Sequence, residues 1–221
     1  MLAKDLVADI ILPVSESETV RQIIDRMSDL KISHLPFVIN SEYLGLISEV
    51  DLLTMKDTRA IVDAKSIELL TASVFEDQHI YEVIDLVARY GMTLVPVLSA
   101  AQKYQGSITL PVLIRNFSSL TAAGQPGAIL VLSLAPQDYS PTIISRIIEE
   151  NNAKMISLYM IQDPKSPELT VTIKINTQET GSIMRSFDRY GYSVTSYFLA
   201  NSQLEDFYRS RYEEFMKYIN I

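Results

Sequence analysis

Apolar residues Val20, Ile23, Ile24, Met27 and Leu30 recur at helical spacing, so Ser17 to Leu30 is predicted as an amphipathic helix capped by Ser17 or Thr19. The pattern then shortens. His34 to Ile39 reads as an apolar strand, Asn40-Ser41-Glu42 as a turn, and Tyr43 to Ser48 as a second strand alternating about Gly45, before a helix from Glu49 to about Lys56. A second series follows: a helix from Ile80 to Tyr90 with Val83, Ile84 and Val87 inward and Gly91 at its end, strands at Thr93 to Leu98 and Tyr104 to Ser107, and a helix whose first turn admits Pro111.

The two series share residues as well as elements. Leu35-Pro36-Phe37-Val38, Tyr43-Leu44-Gly45-Leu46-Ile47-Ser48 and Asp51-Leu52 reappear as Val95-Pro96-Val97-Leu98, Tyr104-Gln105-Gly106-Ser107-Ile108-Thr109 and Val112-Leu113, with Gly45 and Gly106 61 positions apart. This is one supersecondary unit written twice. Where the first copy has Asp51 the second has Val112, so the copies can share a fold but not every ligand contact.

From Phe117 to Gly127 the composition turns to Ser118-Ser119, Thr121, Gly124, Gln125 and Pro126-Gly127, as expected of an interdomain connection. Beyond it, a strand is predicted at Ala128 to Leu134 and a helix through Ile143, Ile144, Ile147 and Ile148. Strands at Lys154 to Ile161 and Leu169 to Ile175 flank a Pro-containing turn. A helix from Glu179 to Tyr190, closed by Gly191, and a strand from Tyr192 to Leu199 complete the split crossover order of a ferredoxin-like domain. A last helix is expected over Leu204 to Tyr218, with Phe207, Tyr208, Phe215 and Tyr218 set among charges.

Composition narrows the function. The 221 residues are 48% hydrophobic and 21% charged, which suits packed cores in two domains. The net charge of −8, with no basic run longer than a pair, argues against nucleic-acid or anionic-membrane surfaces. There is no cysteine, hence no disulfide or thiolate ligand, and neither a signal-peptide core nor an apolar run long enough to span a bilayer. The expected location is the cytoplasm. No Gly-rich phosphate loop or zinc spacing is present, and the histidines are His34 and His79, so an enzyme is not expected, nor a cofactor or metal.

The motif around Gly45-Leu46-Ile47-Ser48-Glu49-Val50-Asp51-Leu52, preceded by Leu35-Pro36-Phe37-Val38, resembles the CBS repeat, the regulatory unit named after cystathionine beta-synthase. The segment from Gly127 to about Leu199 is similar to an ACT-like domain, and the combination resembles bacterial CBS-pair proteins of the acetoin-utilisation type. The resemblance implies an α/β (α+β) fold: a CBS pair over 1–120 (repeats about 1–60 and 61–120), a ferredoxin-like βαββαβ domain over 127–200, and a C-terminal helix over 201–221. It also implies a non-catalytic sensor of AMP, ADP, ATP or S-adenosylmethionine, with Ser48 offering a hydroxyl to the ligand and Asp51 accepting from the ribose hydroxyls. Thr109 is the matching hydroxyl of the second copy, where Val112 leaves ribose without its acceptor.

The same residues have local roles to weigh. Ser48-Glu49-Val50-Asp51 is also a capping box, in which Asp51 reaches back to the Ser48 backbone; the two roles are compatible. Lys56 and Arg59, one to two helical turns past Asp51, and Arg115 in the second copy are either phosphate partners or solvated surface. His34 either borders an adenine or is structural. In amino-acid-sensing ACT domains the loop after the first strand carries an Asp and then a Gly; here Asp138-Tyr139-Ser140-Pro141 lacks the glycine, and Asp138 or Ser140 can cap the next helix. The expected assembly is a homodimer, with the aromatic tail its foremost contributor. The competing class is a ligand-free scaffold or oligomerisation subunit that regulates an unidentified protein partner by docking.

Overall fold

Thr19 starts the first helix: its hydroxyl accepts from the Gln22 amide at 3.3 Å while its own amide donates to the Gln22 carboxamide at 2.9 Å. The computed structural model describes residues 1–7, 11–64 and 67–199. By the packing of its backbone the chain divides into two units, Met1–Phe117 and Ser118–Ile221.

In the first unit, helix α1 (Val20–Leu30) buries Val20, Ile23 and Met27, ends on Lys31 in the left-handed conformation, and leaves Leu30 37% exposed. Strands β1 (His34–Ile39) and β2 (Glu42–Ser48) form an antiparallel hairpin with His34 opposite Ser48. Helix α2 (Glu49–Leu53) stops short of Lys56. Thr54 closes it, its hydroxyl donating to the Asp51 carbonyl at 2.7 Å, and only Leu52 of the helix is buried, so there is no stripe to prolong it.

The second series repeats the plan: β3 (Val74–Phe75), α3 (Ile80–Tyr90), β4 (Leu94–Leu98), β5 (Tyr104–Thr109) and α4 (Leu110–Leu120). Helix α3 is capped by His79, whose ring accepts from the Tyr81 amide at 3.3 Å, and Gly91 ends it at φ 62°. The strand β3, parallel to β4, and a 3-10 turn at Ala3–Leu6 are additions to the expected elements. Helix α4 also runs through Ser118 and Ser119, which the composition had placed in a connection.

The segments ahead of each repeat cross to the other. At the start of α1 the Val20 and Arg21 amides donate to the Ala60 and Thr58 carbonyls at 3.0 and 2.8 Å. At the start of α3 the Ile80 amide donates to the Met1 carbonyl at 3.1 Å, and Ala3 donates to the Gln78 carbonyl at 2.8 Å. One apolar core runs through both copies, including Met27, Leu35, Phe37, Ile47, Leu52, Ile80, Leu94, Val97 and Ile108. Burying each such side chain contributes about 1.5–3 kcal/mol.

The second unit is a four-stranded antiparallel sheet in the order β7-β8-β6-β9, built from β6 (Ala128–Leu134), α5 (Pro141–Glu150), β7 (Met155–Gln162), β8 (Leu169–Ile175), α6 (Gly181–Arg189) and β9 (Ser193–Leu199). This is the ferredoxin-like arrangement. Alternate residues of β6, namely Ala128, Leu130, Leu132 and Leu134, share a core with Ile144, Ile147 and Ile148 of α5 and Ile183 and Phe187 of α6. The helix expected over Leu204 to Tyr218 lies outside the described residues. Among the described residues no helix is long and apolar enough to cross a membrane.

The crossing leaves no room at Gly45, which has φ 153°. A Cβ there would stand 2.6 Å from the Leu69 Cβ, whereas one on Gly91 would meet nothing within 4 Å. Gly91→Ala should therefore cost only the left-handed strain, about 1–2 kcal/mol. Gly45→Ala should add overpacking of about 1–3 kcal/mol to a strained backbone. Urea denaturation of the two variants checks this; a Gly45→Ala midpoint at or above that of Gly91→Ala would contradict the close approach.

Candidate functional site

Strand β2 hands directly into α2, and Ser48 sits at that junction as the N-cap. Its hydroxyl oxygen accepts from the Asp51 amide at 3.1 Å and its proton goes to the Asp51 carboxylate at 2.6 Å, within the range of charge-assisted O–H···O⁻ bonds. The expected capping box is thus modified. Asp51 holds the Ser48 hydroxyl rather than the Ser48 backbone amide. Asp51 is exposed, and a carboxylate has about four acceptor positions, so the bond to Ser48 leaves others open to solvent or a ligand.

His34 faces this pair across the hairpin. The Thr93 hydroxyl lies 3.2 Å from its Nδ1, and the Thr93 amide also donates to Nδ1 at 3.5 Å, so Nδ1 accepts and Nε2–H is left as a donor. Burial lowers the His34 pKa from its ordinary value, while the Asp51 carboxylate opposes the shift. The neutral ring is the favoured state at neutral pH.

Thr93 belongs to the other repeat and was not anticipated. It occupies the place of Ser33: the Glu49 amide donates to the Ser33 carbonyl at 2.9 Å and the Leu110 amide to the Thr93 carbonyl at 3.4 Å, while the Ser33 amide donates to the Thr93 hydroxyl at 3.0 Å. Its repeat position beside a strand carrying a site residue was the available signal. Thr109 pairs with Leu94 at the corresponding junction before α4. Three residues down α4, Val112 is partly buried and packs against the core.

The structure therefore gathers His34, Ser48 and Asp51, and sets Thr109 at the equivalent point of the second copy. It does not bring Lys56 into this group. Lys56 is exposed in the loop past α2, not on a helical turn above Asp51, because the helix has already ended. Arg59 shares that loop, its amide donating to the Asp57 carboxylate at 2.9 Å. A separate cleft of about 480 Å³ lies at the hairpin turns, where Glu42, Tyr43, Phe75 and Lys103 are among its lining residues; none of the five expected ligand residues lines it. In the second unit, Ser140 caps α5 by accepting from the Ile143 amide at 3.4 Å, and the Asp138 carbonyl accepts from the Tyr192 hydroxyl at 3.0 Å.

Residues 3–56 match a family model described as the CBS domain. That span holds His34, Ser48, Asp51 and Lys56, and the second repeat shares its element order. Among solved structures, the chain is similar to a CBS domain pair/ACT domain protein from Thermotoga maritima at 22% identity, over 54% of this chain and 98% of that one, with a TM-score of 0.48. It is similar to CBSX2 in complex with AMP at 18% identity, over 53% of this chain and 96% of that one, with a TM-score of 0.46. It is also similar to the cytosolic domain of the Mg2+ channel MgtE in complex with ATP, at 23% identity over 52% of this chain and 48% of that one, with a TM-score of 0.44.

Because the folded state holds the His34 pKa below its unfolded value of 6.5, the stability tied to the neutral ring is fully present above that value. It is lost as pH falls from about 6.5 through the lower folded value. His34→Gln should remove this part of the pH dependence, read from urea midpoints between about pH 7 and pH 5. Asp51→Asn should lower the His34 pKa further, since the opposing charge is gone. An NMR titration of the His34 ring in which Asp51→Asn raises that pKa would reverse the assigned electrostatics.

Proposed function

We propose that the first unit is a non-catalytic regulatory module that senses an adenosine-containing ligand, AMP, ADP, ATP or S-adenosylmethionine, in the cytoplasm. The observation that carries this reading is the Ser48–Asp51 pair at the start of α2, facing His34, within the repeat that matches the CBS model. Asp51 supplies the acceptor that vicinal ribose hydroxyls require. The His34 Nε2–H supplies a donor suited to a neighbouring acceptor, and Lys56 is a surface cation in the loop that follows α2. With Thr109 followed by Val112, the second repeat offers a hydroxyl but no carboxylate, so one ribose site is proposed per chain.

The second unit is read as ACT-like, after the manner of CBS-pair proteins of the acetoin-utilisation type. Amino-acid sensing is not part of the proposal, because Ser140 is engaged as a helix cap and no glycine opens the loop. Instead, this unit is proposed to carry a homodimer contact. Tyr159 and Ile161 of β7 pair with the outward Thr172 and Thr170, Phe198 of β9 pairs with Ile129, and these three large side chains are 49%, 59% and 58% exposed. Apolar surface of this kind favours association.

The competing reading, a scaffold with empty clefts that docks on a partner, has one observation in its favour: Ser48 and Asp51 already satisfy each other as a cap. Isothermal titration with the four ligands separates the two. Asp51→Ala should weaken the ligand that binds by about 1–3 kcal/mol, whereas Val112→Ala should leave affinity nearly unchanged. Equal losses would defeat the single-site reading, and a fall in melting temperature without loss of affinity would leave Asp51 as a cap alone. Size-exclusion chromatography with light scattering on the full chain should give a dimer at tens of micromolar, roughly the range where weak self-association is populated; a monomer there would remove the dimer.

A further inference from the structure

The helices of the second unit frame a cleft of about 490 Å³, lined by Asn151 after α5 and by Ser182, Arg185, Ser186, Asp188 and Arg189 of α6. Arg185 and Arg189 are one helical turn apart and share a face. Arg185 Nη1 lies 3.6 Å from where a Cβ on Gly181 would stand, so its guanidinium folds back along the first turn. Arg189 Nη2 donates to the Ser186 hydroxyl at 3.1 Å. Elsewhere in this acidic chain Arg21, Arg26, Arg89 and Arg146 are each matched to a carboxylate. Among the described residues, no such ion pair engages Arg185 or Arg189.

Ser186 gives the cleft its polarity. It is 5% exposed, and its oxygen accepts from both Arg189 and Asn151, the latter at 3.1 Å. Two accepted bonds use both lone pairs of a hydroxyl, so the remaining capacity of Ser186 is its proton. Both N–H donors of the Asn151 amide are used as well, the second going to the Ile147 carbonyl at 2.8 Å, which leaves its Oδ1 as an acceptor. The donors of the cleft outnumber its acceptors. Available donors are the Ser186 and Ser182 hydroxyls and the unspent N–H groups of two guanidinia, against the Asp188 carboxylate and the Asn151 Oδ1.

From this we propose that the cleft binds a phosphate group, either as free phosphate or as a phosphate monoester. Guanidinium forks match phosphate oxygens in bidentate fashion. Donors arriving from two arginines a turn apart and from a hydroxyl between them suit a tetrahedral anion with three or more oxygens better than a planar carboxylate. The site is independent of the adenosine reading of the first unit, since none of its residues belongs to that unit.

The test uses the full chain at low salt. Titration with inorganic phosphate and with phosphoserine, followed by calorimetry, should give saturable binding. Arg185→Gln and Arg189→Gln should each raise Kd by roughly ten-fold or more, the loss expected for a charge-assisted bond. Both arginines are exposed, so melting temperature should hold. Ser186→Ala should weaken binding too, and its melting curve separates that effect from a packing loss. Tighter phosphoserine binding assigns a monoester and tighter phosphate binding the free anion. Absence of saturable binding to wild type, unchanged Kd in the double arginine variant, or acetate competing as well as phosphate would each overturn the site. Failure of AMP or S-adenosylmethionine to bind would bear on the first unit alone.

Discussion

The first unit depends on amide donors that its own repeats cannot satisfy. A helix begins with N–H groups that have no partner inside it. Here the Val20 and Arg21 amides of α1 are met by the Ala60 and Thr58 carbonyls of the segment between the two series, the Gln22 amide by the Thr19 hydroxyl, and the Ile80 amide of α3 by the Met1 carbonyl. Each helix start is therefore completed by a segment that lies outside its own helix and hairpin. The shared core follows from this exchange. So do the two buried glycines, since a Cβ on Gly45 or Gly106 would strike Leu69 or Val7 of a crossing segment.

The exchange also brings together the two strand entries. Ser33 and Thr93 hold corresponding places, and the bond between the Ser33 amide and the Thr93 hydroxyl joins one copy to the other beside His34. This makes the His34 environment a property of the pair. Its ring is oriented by a residue of the second repeat, while its charge is influenced by Asp51 of the first. A ligand that recruits Asp51 would change the field at His34, and through Thr93 it would bear on the contact between repeats.

Period and repetition made most of the fold legible. Helices α1 and α3 carry apolar stripes, the hairpins carry matching Pro and Gly positions, and the ferredoxin-like order of the second unit follows from its alternation of elements. The strand β3 escaped because two residues have no period, and its parallel pairing with β4 is a tertiary fact. Helix α2 was legible at its start but not at its end: a plausible helical run continued, but only Leu52 was there to bury. Of the site, the Ser48–Asp51 spacing was readable because a helix start imposes it. The position of Lys56 was misjudged along with the helix length. The convergence of Asn151 with Arg185 and Arg189 was not readable at all, since it is created when the end of α5 meets α6.

The difference between Asp51 and Val112 carries a consequence for how the two clefts can specialise. Asp51 stands in solvent over a five-residue helix and spends part of its carboxylate on Ser48. Val112, partly buried at the start of an eleven-residue helix, packs at the edge of the common core next to the buried Leu113. A carboxylate at the second position would lose part of its hydration against apolar neighbours, a cost that Asp51 in its exposed place does not meet. Conversely, an apolar residue at the first would leave the Ser48 proton without its carboxylate. The asymmetry is thus built into packing as well as ligand chemistry: each residue suits the length and burial of its own helix.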